Sequence, residues 1–238
     1  MKDLASKVVI VTGASGGLGT AVVHAFLEAG SAVTAVTRRS PEPDRVDGPP
    51  GTSEDRLMGL SADVEDEAGA ERMVRDTVAR WGRADVLVSL VGGYQGGTRV
   101  VAMDRSVWER MLSLNLTSTF LSAKHAFRQM EAQGGGAIVT VGTRAAVQVR
   151  PGEAAYAASK AGVLTLTQVL AAEGKDRGIR VNAVLPSVID TPTNRRSLPK
   201  ADFARWVKPE QLAQVILFLA SDVSAEINGA WVPVYGLA

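Results

Sequence analysis

Residues 8–30 read VVIVTGASGGLGTAVVHAFLEAG: an apolar run, a glycine-rich turn, then a longer stretch of helical period. The run 8–12 is β-branched and lacks polar alternation, which suits a strand buried on both faces. Glycines 13, 17 and 19 permit a tight turn and a close backbone approach. A helix starting near Gly17 aims its unpaired N–H groups back at that turn. Strand, turn and helix in this order make a cradle for a pyrophosphate, which would occupy the volume that any Cβ would take. A plain strand-to-helix turn is the bland reading of the same residues, and the rest of the chain has to decide between them.

Outward from the turn, strand-length apolar runs alternate with helical stretches. Strands are predicted at 8–12, 32–37, 57–61, 86–90, 137–141, 180–185 and 231–234, and helices near 17–29, 66–81, 104–133, 154–177 and 209–221. Gly30 and Gly178 stand just past two helix ends, where a left-handed residue is needed. With right-handed crossovers this pattern predicts an α/β, doubly wound Rossmann-type sandwich on a seven-stranded, mainly parallel sheet of order 3-2-1-4-5-6-7. Residues 1–238 are read as one dinucleotide-binding catalytic domain, with 187–208 as a lid on its substrate side. The segment 40–55, SPEPDRVDGPPGTSED, is too rich in proline and glycine for a helix and reads as a surface loop.

Composition narrows the function. Apolar residues make up 46% and charged residues 21% of 238, with a formal charge of +1. Such a balance carries no electrostatic footprint for nucleic acid or an anionic membrane. There are no cysteines, and the two histidines, His24 and His125, fall on separate predicted helices, so no metal site is expected. The N-terminus shows no signal peptide or membrane span, and a cytoplasmic location is expected. Asn115-Leu-Thr117 matches a glycosylation acceptor, but the segment is expected to be buried.

Within the cradle, Gly13, Ser15, Gly16, Gly17, Leu18 and Gly19 are the candidate pyrophosphate residues. The second strand ends AVTRRS. Thr37 stands where an acidic residue would accept bonds from the ribose hydroxyls, and Arg38 and Arg39 follow. Two guanidiniums pair well with a 2′-phosphate, so NADPH/NADP+ is favoured and NADH/NAD+ remains possible. The alternative is that both arginines merely face water. Asp63 and Val64, after the third strand, are placed to meet the adenine, although Asp63 is nearly as plausible as a helix cap. Val91 and Gly92, after the fourth strand, would border the coenzyme.

Residues 143–160 read TRAAVQVRPGEAAYAASK. Tyr156 and Lys160 lie four apart and share a helix face. A free tyrosine has a pKa of about 10. An ammonium about 4 Å away, at an effective dielectric near 20, interacts by up to roughly 4 kcal/mol, enough to lower that pKa by a few units. Taken alone, the spacing fits a solvated helix equally well.

The turn TGASGGLG, Asn115-Leu-Thr in a long helix, the strand ending IVTVGT, then YAASKAG and VNAVLP occur in that order. Together they resemble the short-chain dehydrogenase/reductase family in its short single-domain form, across essentially the whole chain. The resemblance implies hydride transfer between a nicotinamide and a carbonyl or alcohol of a small molecule. It further implies that Tyr156 is the general acid/base, that Lys160 grips the nicotinamide ribose and supports the tyrosine, and that Asn115 holds a water in the proton relay. Thr143 falls where the family usually has a substrate-orienting serine. Its hydroxyl is retained and its methyl is expected to narrow the pocket. Pro186, Val188 and Thr191 would flank the nicotinamide end.

Three departures stand out. SLVGG at 89–93 replaces the usual Asn-Asn-Ala-Gly, so Ser89 is expected to replace the sheet-bracing bonds only in part. Pro186-Ser187 replaces Pro-Gly, and the loop after the second strand lacks its usual helix. GGYQGG at 92–97 and the segment 190–206 resemble the dihydropteridine reductases, so reduction of a quinonoid pterin is an alternative. A non-catalytic nucleotide sensor is another. The pocket is expected to be bordered by Tyr94, Gln95, Arg144 and Val149, and by Phe203 and Trp206 on the lid. Tyr94 and Trp206 read either as stacking partners for a flat ring or as hydrophobic cover. Arg144 reads either as an attractor of anions or as a solvated side chain. The resemblance also implies a homotetramer, with the helices starting at Asp104 and Ala154 packed across a two-fold axis. Leu112, Leu116, Phe120 and Ala123 would serve that face or the core.

Overall fold

Each predicted apolar run becomes a strand of one parallel sheet in the computed structural model, which describes residues 2–38, 47–51 and 54–237. The strands are β1 (Val8–Thr12), β2 (Ala32–Thr37), β3 (Leu57–Ser61), β4 (Val86–Ser89), β5 (Gly136–Val141), β6 (Ile179–Pro186) and β7 (Trp231–Val234), in the order β3-β2-β1-β4-β5-β6-β7. Every pairing is parallel. The predicted topology therefore holds, with strand ends shifted by about one residue, as is usual where ladders fray.

Alternation along β1 shows why its run is uniformly apolar. Val9 and Val11 face α1 (Gly17–Glu28) and α7 (Pro209–Ala220), in a cluster with Val22, Phe26, Leu212 and Ile216. Ile10 faces the opposite layer with Met73 of α2 (Glu67–Trp81) and Leu87. A strand covered on both faces needs no polar side. Gly30 and Gly178 have φ of 92° and 69°, the left-handed ends expected of them.

The helix predicted for 104–133 is interrupted. It comprises α3 (Arg105–Met111), a π-helical turn (Leu112–Thr117) and α4 (Ser118–Gln133). A π turn carries one more residue than an α turn and re-aims the side chains within it. α5 (Ala154–Gly174) passes into a 3-10 turn, Lys175–Arg177. The lid segment contains the short helix α6 (Pro192–Ser197). Its base is pinned by Asp190, which accepts from Arg195 at 2.5 and 2.8 Å and from Lys208 at 2.5 Å.

Arg39 and the greater part of the loop predicted for 40–55 lie outside the described residues. Among the described residues no helix is long and apolar enough to cross a membrane. At one edge of the sheet, among the described residues, β7 pairs only with β6, and its Pro233 lies in register with Leu185. Proline is tolerated in a ladder at such an edge, where its missing N–H costs nothing.

Candidate active site

The carboxyl ends of β1, β4, β5 and β6 open onto one crevice, where open α/β sheets hold ligands. α5 presents Tyr156 and Lys160 to it. Thr143, just past β5, caps the short turn Arg144–Ala146 through a 3.4 Å bond from the Ala145 N–H. Its hydroxyl is near enough to the Tyr156 phenol to pull that group's pKa down. Lys160 is only 6% exposed and donates to the Val141 carbonyl at 2.7 Å. Burial lowers its pKa to about 8.

The expected depression of the Tyr156 pKa by Lys160 is not what this arrangement gives. Burial dominates and raises the phenol above its ordinary value; the Thr143 hydroxyl pulls the other way, and the charge of Glu153 adds to the rise. The reason is geometric. Spacing of i and i+4 sets the helix face, but the lysine chain extends to the backbone of β5 instead of the phenol.

Asn115 is fully buried within the π turn, which removes the glycosylation reading. Its Oδ1 accepts from the Gly93 N–H at 2.9 Å, and its Nδ2 donates to the Gly93 carbonyl at 3.1 Å and to Ser159 Oγ at 3.0 Å. Ser159 in turn donates to the Tyr156 carbonyl at 2.8 Å. The amide therefore clamps the segment after β4 to α5. Ser89 contributes a long 3.4 Å bond to Thr119, and Thr12 Oγ1 accepts from the Leu90 N–H at 3.1 Å. Thr12 thus supplies a brace that the altered SLVGG segment does not supply from its own side chain.

At the glycine turn, Gly13 has φ of 68°, and a Cβ on Gly19 would stand 2.2 Å from the Gly13 carbonyl. Gly16, the residue before α1, offers no side-chain cap, so the first N–H groups of the helix face the crevice beside exposed Ser15 and Gly17. Leu18 packs onto the core and anchors the first turn. A Cβ on Gly17 would lie 2.8 Å from Thr191 Cγ2, and one on Gly92 would lie 2.8 Å from Asn115 Oδ1 and 3.2 Å from Lys160 Nζ. Thr191 therefore sits against the glycine turn, while its Oγ1 accepts from Asn194 N–H and caps α6. Val91 N–H lies on the other side of the turn, beside Gly13.

Beyond β2 and β3 lies the candidate adenosine end. Thr37 is 5% exposed, and its hydroxyl has no hydrogen-bond partner among the described residues. A buried polar atom without a partner is costly in a protein and points to a ligand that satisfies it. Asp63 Oδ1 accepts from the Glu65 N–H at 3.0 Å in a local turn, while the cap of α2 is Asp66, whose carboxylate accepts from the Gly69 N–H at 3.2 Å. The Val64 side chain is in the core, so it contributes support rather than a free surface. Arg38 donates to Glu65 at 3.0 Å. The cradle, the uncapped helix and the unpartnered Thr37 hydroxyl together fit a dinucleotide.

The sequence profile described as short chain dehydrogenase matches residues 7–202. The chain belongs to the short-chain dehydrogenase/reductase family. A D-threitol dehydrogenase of Mycolicibacterium smegmatis is 33% identical over 95% of this chain and 90% of its own. Among solved structures, ElxO with NADP bound superposes with a TM-score of 0.90 at 26% identity, covering 97% of each chain. A 3-ketoacyl-(acyl-carrier-protein) reductase from Brucella melitensis complexed with NADH gives 0.86 at 27% identity, covering 98% of each. The protein is thus an NAD(P)-dependent oxidoreductase of the short-chain dehydrogenase/reductase type.

In this short-chain dehydrogenase the predicted pocket residues divide. The Tyr94 ring meets Tyr156 edge-on, with centroids 4.9 Å apart, and its hydroxyl lies 3.5 Å from Glu153 Oε1. Gln95 and Val149 are exposed. Arg144 stacks over Tyr235 at 5.4 Å. Trp206 is only 7% exposed and packs on Phe203, whose other neighbour is the Arg195 guanidinium. Of its two readings, hydrophobic cover is therefore the one observed. Pro186 closes β6 as a buried residue, and the Val188 carbonyl accepts from Val207 N–H at 3.0 Å, tying the two ends of the lid together.

Three residues of the site were not anticipated. Ser159 sits one helical turn after Tyr156, a spacing that the YAASK motif displays openly. Glu153, at the start of α5, keeps a buried Oε2 without a partner among the described residues. Glu65 gave no sequence signal, because its partners are remote in the chain.

Proposed function

We propose that the chain is an NADP(H)-favouring reductase or dehydrogenase of a small carbonyl or alcohol substrate, with Tyr156 as general acid/base. The observation that carries this reading is the convergence of the Tyr156 phenol and the Thr143 hydroxyl above a glycine cradle. When bound, the nicotinamide supplies the hydride. In the reductive direction Tyr156 donates its proton to the substrate oxygen, and Thr143 orients that oxygen by hydrogen bonding. A raised phenol pKa keeps Tyr156 protonated and ready to donate near neutral pH. Lys160 holds positive charge beneath the site, and Asn115 fixes the segment 92–93 that closes it.

Thr37, Arg38 and Arg39 support the choice of NADP(H), the last two by charge. The Glu153 carboxylate beside Tyr94 and Tyr156 disfavours an anionic substrate, and similarity to a D-threitol dehydrogenase makes polyols and hydroxyketones the first compounds to assay. Homotetramer assembly is proposed on the family resemblance, supported by exposed Trp108, Phe120 and Val169 on α3, α4 and α5.

Replacement of Tyr156 by Phe is the test. Turnover should fall by about 10²- to 10⁴-fold, the usual worth of a positioned proton donor. Dissociation constants for the coenzyme should change little, because the phenol is not part of the glycine cradle. Full turnover in Tyr156→Phe would overturn the assignment.

A further inference from the structure

The Arg38 guanidinium, expected to meet a 2′-phosphate, is engaged by Glu65 in this fold. Glu65 Oε1 accepts from Arg38 Nη1 at 3.0 Å, while Oε2 accepts from Arg110 Nη1 at 2.5 Å and from Ser113 Oγ at 2.8 Å. The carboxylate side chain is 11% exposed, against 50% for Arg38 and 43% for Arg110. Burial acts to raise its pKa, but bonds from Ser113 and Arg110 and the two guanidinium charges outweigh it and hold the group below the ordinary carboxylate range. It therefore remains an anion throughout the neutral range.

This anion is fixed. Its bonds to Arg110 and Ser113 reach α3 and the π turn, far along the chain from β2, so it does not swing away when Arg38 finds another partner. Arg38 is the movable member, half-exposed at the end of β2 and, among the described residues, held through one nitrogen. A 2′-phosphate approaching Arg38 must compete with the carboxylate for that nitrogen and also lie close to a like charge. A bare ribose meets neither obstacle. The unpartnered Thr37 hydroxyl at the preceding position marks the same end of the crevice as a ligand surface.

We propose that Glu65 is a specificity-determining residue that restrains Arg38 and so limits discrimination in favour of the 2′-phosphorylated coenzyme. The inference rests on the dinucleotide reading given above. Glu65 acts through Arg38 and is therefore a positioning residue, not a catalytic one.

Binding of two adenosine fragments, adenosine 2′,5′-bisphosphate and 5′-AMP, to the purified full chain by calorimetry at low ionic strength tests it without turnover. Glu65→Gln keeps the shape and the acceptor for Ser113 while removing the charge. Its preference for the bisphosphate over AMP should rise about tenfold over the parent, with AMP affinity unchanged. In an Arg38→Ala background the same change should give no such rise, because the residue through which it acts is gone. Glu65→Ala serves in the same design if the glutamine variant is poorly folded. An unchanged preference, a fall in bisphosphate affinity, or an equal rise with and without Arg38 would each overturn the proposal. If the parent chain shows no preference but Glu65→Gln creates one, the role of Glu65 stands and the NADP(H) reading fails. If neither fragment binds the parent or the variants, both fail.

Discussion

Lys160 carries an electrostatic cost that can be measured. Burial takes its pKa from 10.5 to about 8, so between those values the unfolded chain binds more protons than the folded one. Stability must therefore rise with pH across that window; below it the folded chain bears the full penalty of a buried ammonium, about 3 kcal/mol at 1.36 kcal/mol per unit. Tyr156 has the opposite tendency, but its raised pKa acts only above about pH 10, where an unfolded tyrosine begins to ionise. Urea midpoints should accordingly increase between about pH 7.5 and 9.5, and Lys160→Met should flatten the increase. A parent midpoint that falls over this range would contradict the assignment. Spacing in the sequence was enough to put Tyr156 and Lys160 on one helix face. It does not encode the side-chain torsions that send the ammonium to Val141, so the spacing alone does not couple the two groups.

The π turn Leu112–Thr117 sets where Asn115 points. Its inserted residue turns a side chain that would follow the helix stripe into the crevice, where the amide meets both backbone groups of Gly93. Asn115→Ala removes those partners from a part-buried donor and acceptor and also strips Ser159 of its amide contact. Loss of a buried partner costs about 1–3 kcal/mol, so a drop in denaturation midpoint of that size is expected, together with reduced turnover. An unchanged midpoint would show that water replaces the amide without loss. Apolar periodicity identified the helical stretch but not this turn, because a single turn spanning Leu112–Thr117 is too short to establish a period of its own. The segment Gly92–Gly93 was legible only as glycines. The physical reason for the first of them, a Cβ that would strike Asn115 and Lys160, needs three distant parts of the chain at once.

Sheet order and both apolar layers were readable in advance because doubly wound topology follows from alternating strands and helices with a fixed crossover hand. Long-range polar pairings such as Arg38 with Glu65 were not, since charges on loops carry no period. Assembly belongs with the second group. Phe120 is 45% exposed whereas Ala123 is fully buried, so the apolar stripe on α4 divides between a free face and the core. If the free face serves a tetramer, light scattering on the purified chain will give four times the protomer mass, and Phe120→Glu will lower it. A parent chain that scatters as a monomer would contradict the proposed assembly.

Pro233 sets a boundary to how copies of this protein can join. Its ring supplies no N–H on β7, whose one ladder partner among the described residues is β6. An incoming strand from another copy cannot continue the ladder across that position. The Trp231 side chain is 37% exposed at this rim, and its indole N–H donates to the Leu164 carbonyl at 3.2 Å, which tethers the ring. Strand addition by a second copy is therefore hindered at that position, which favours contacts there made side chain to side chain.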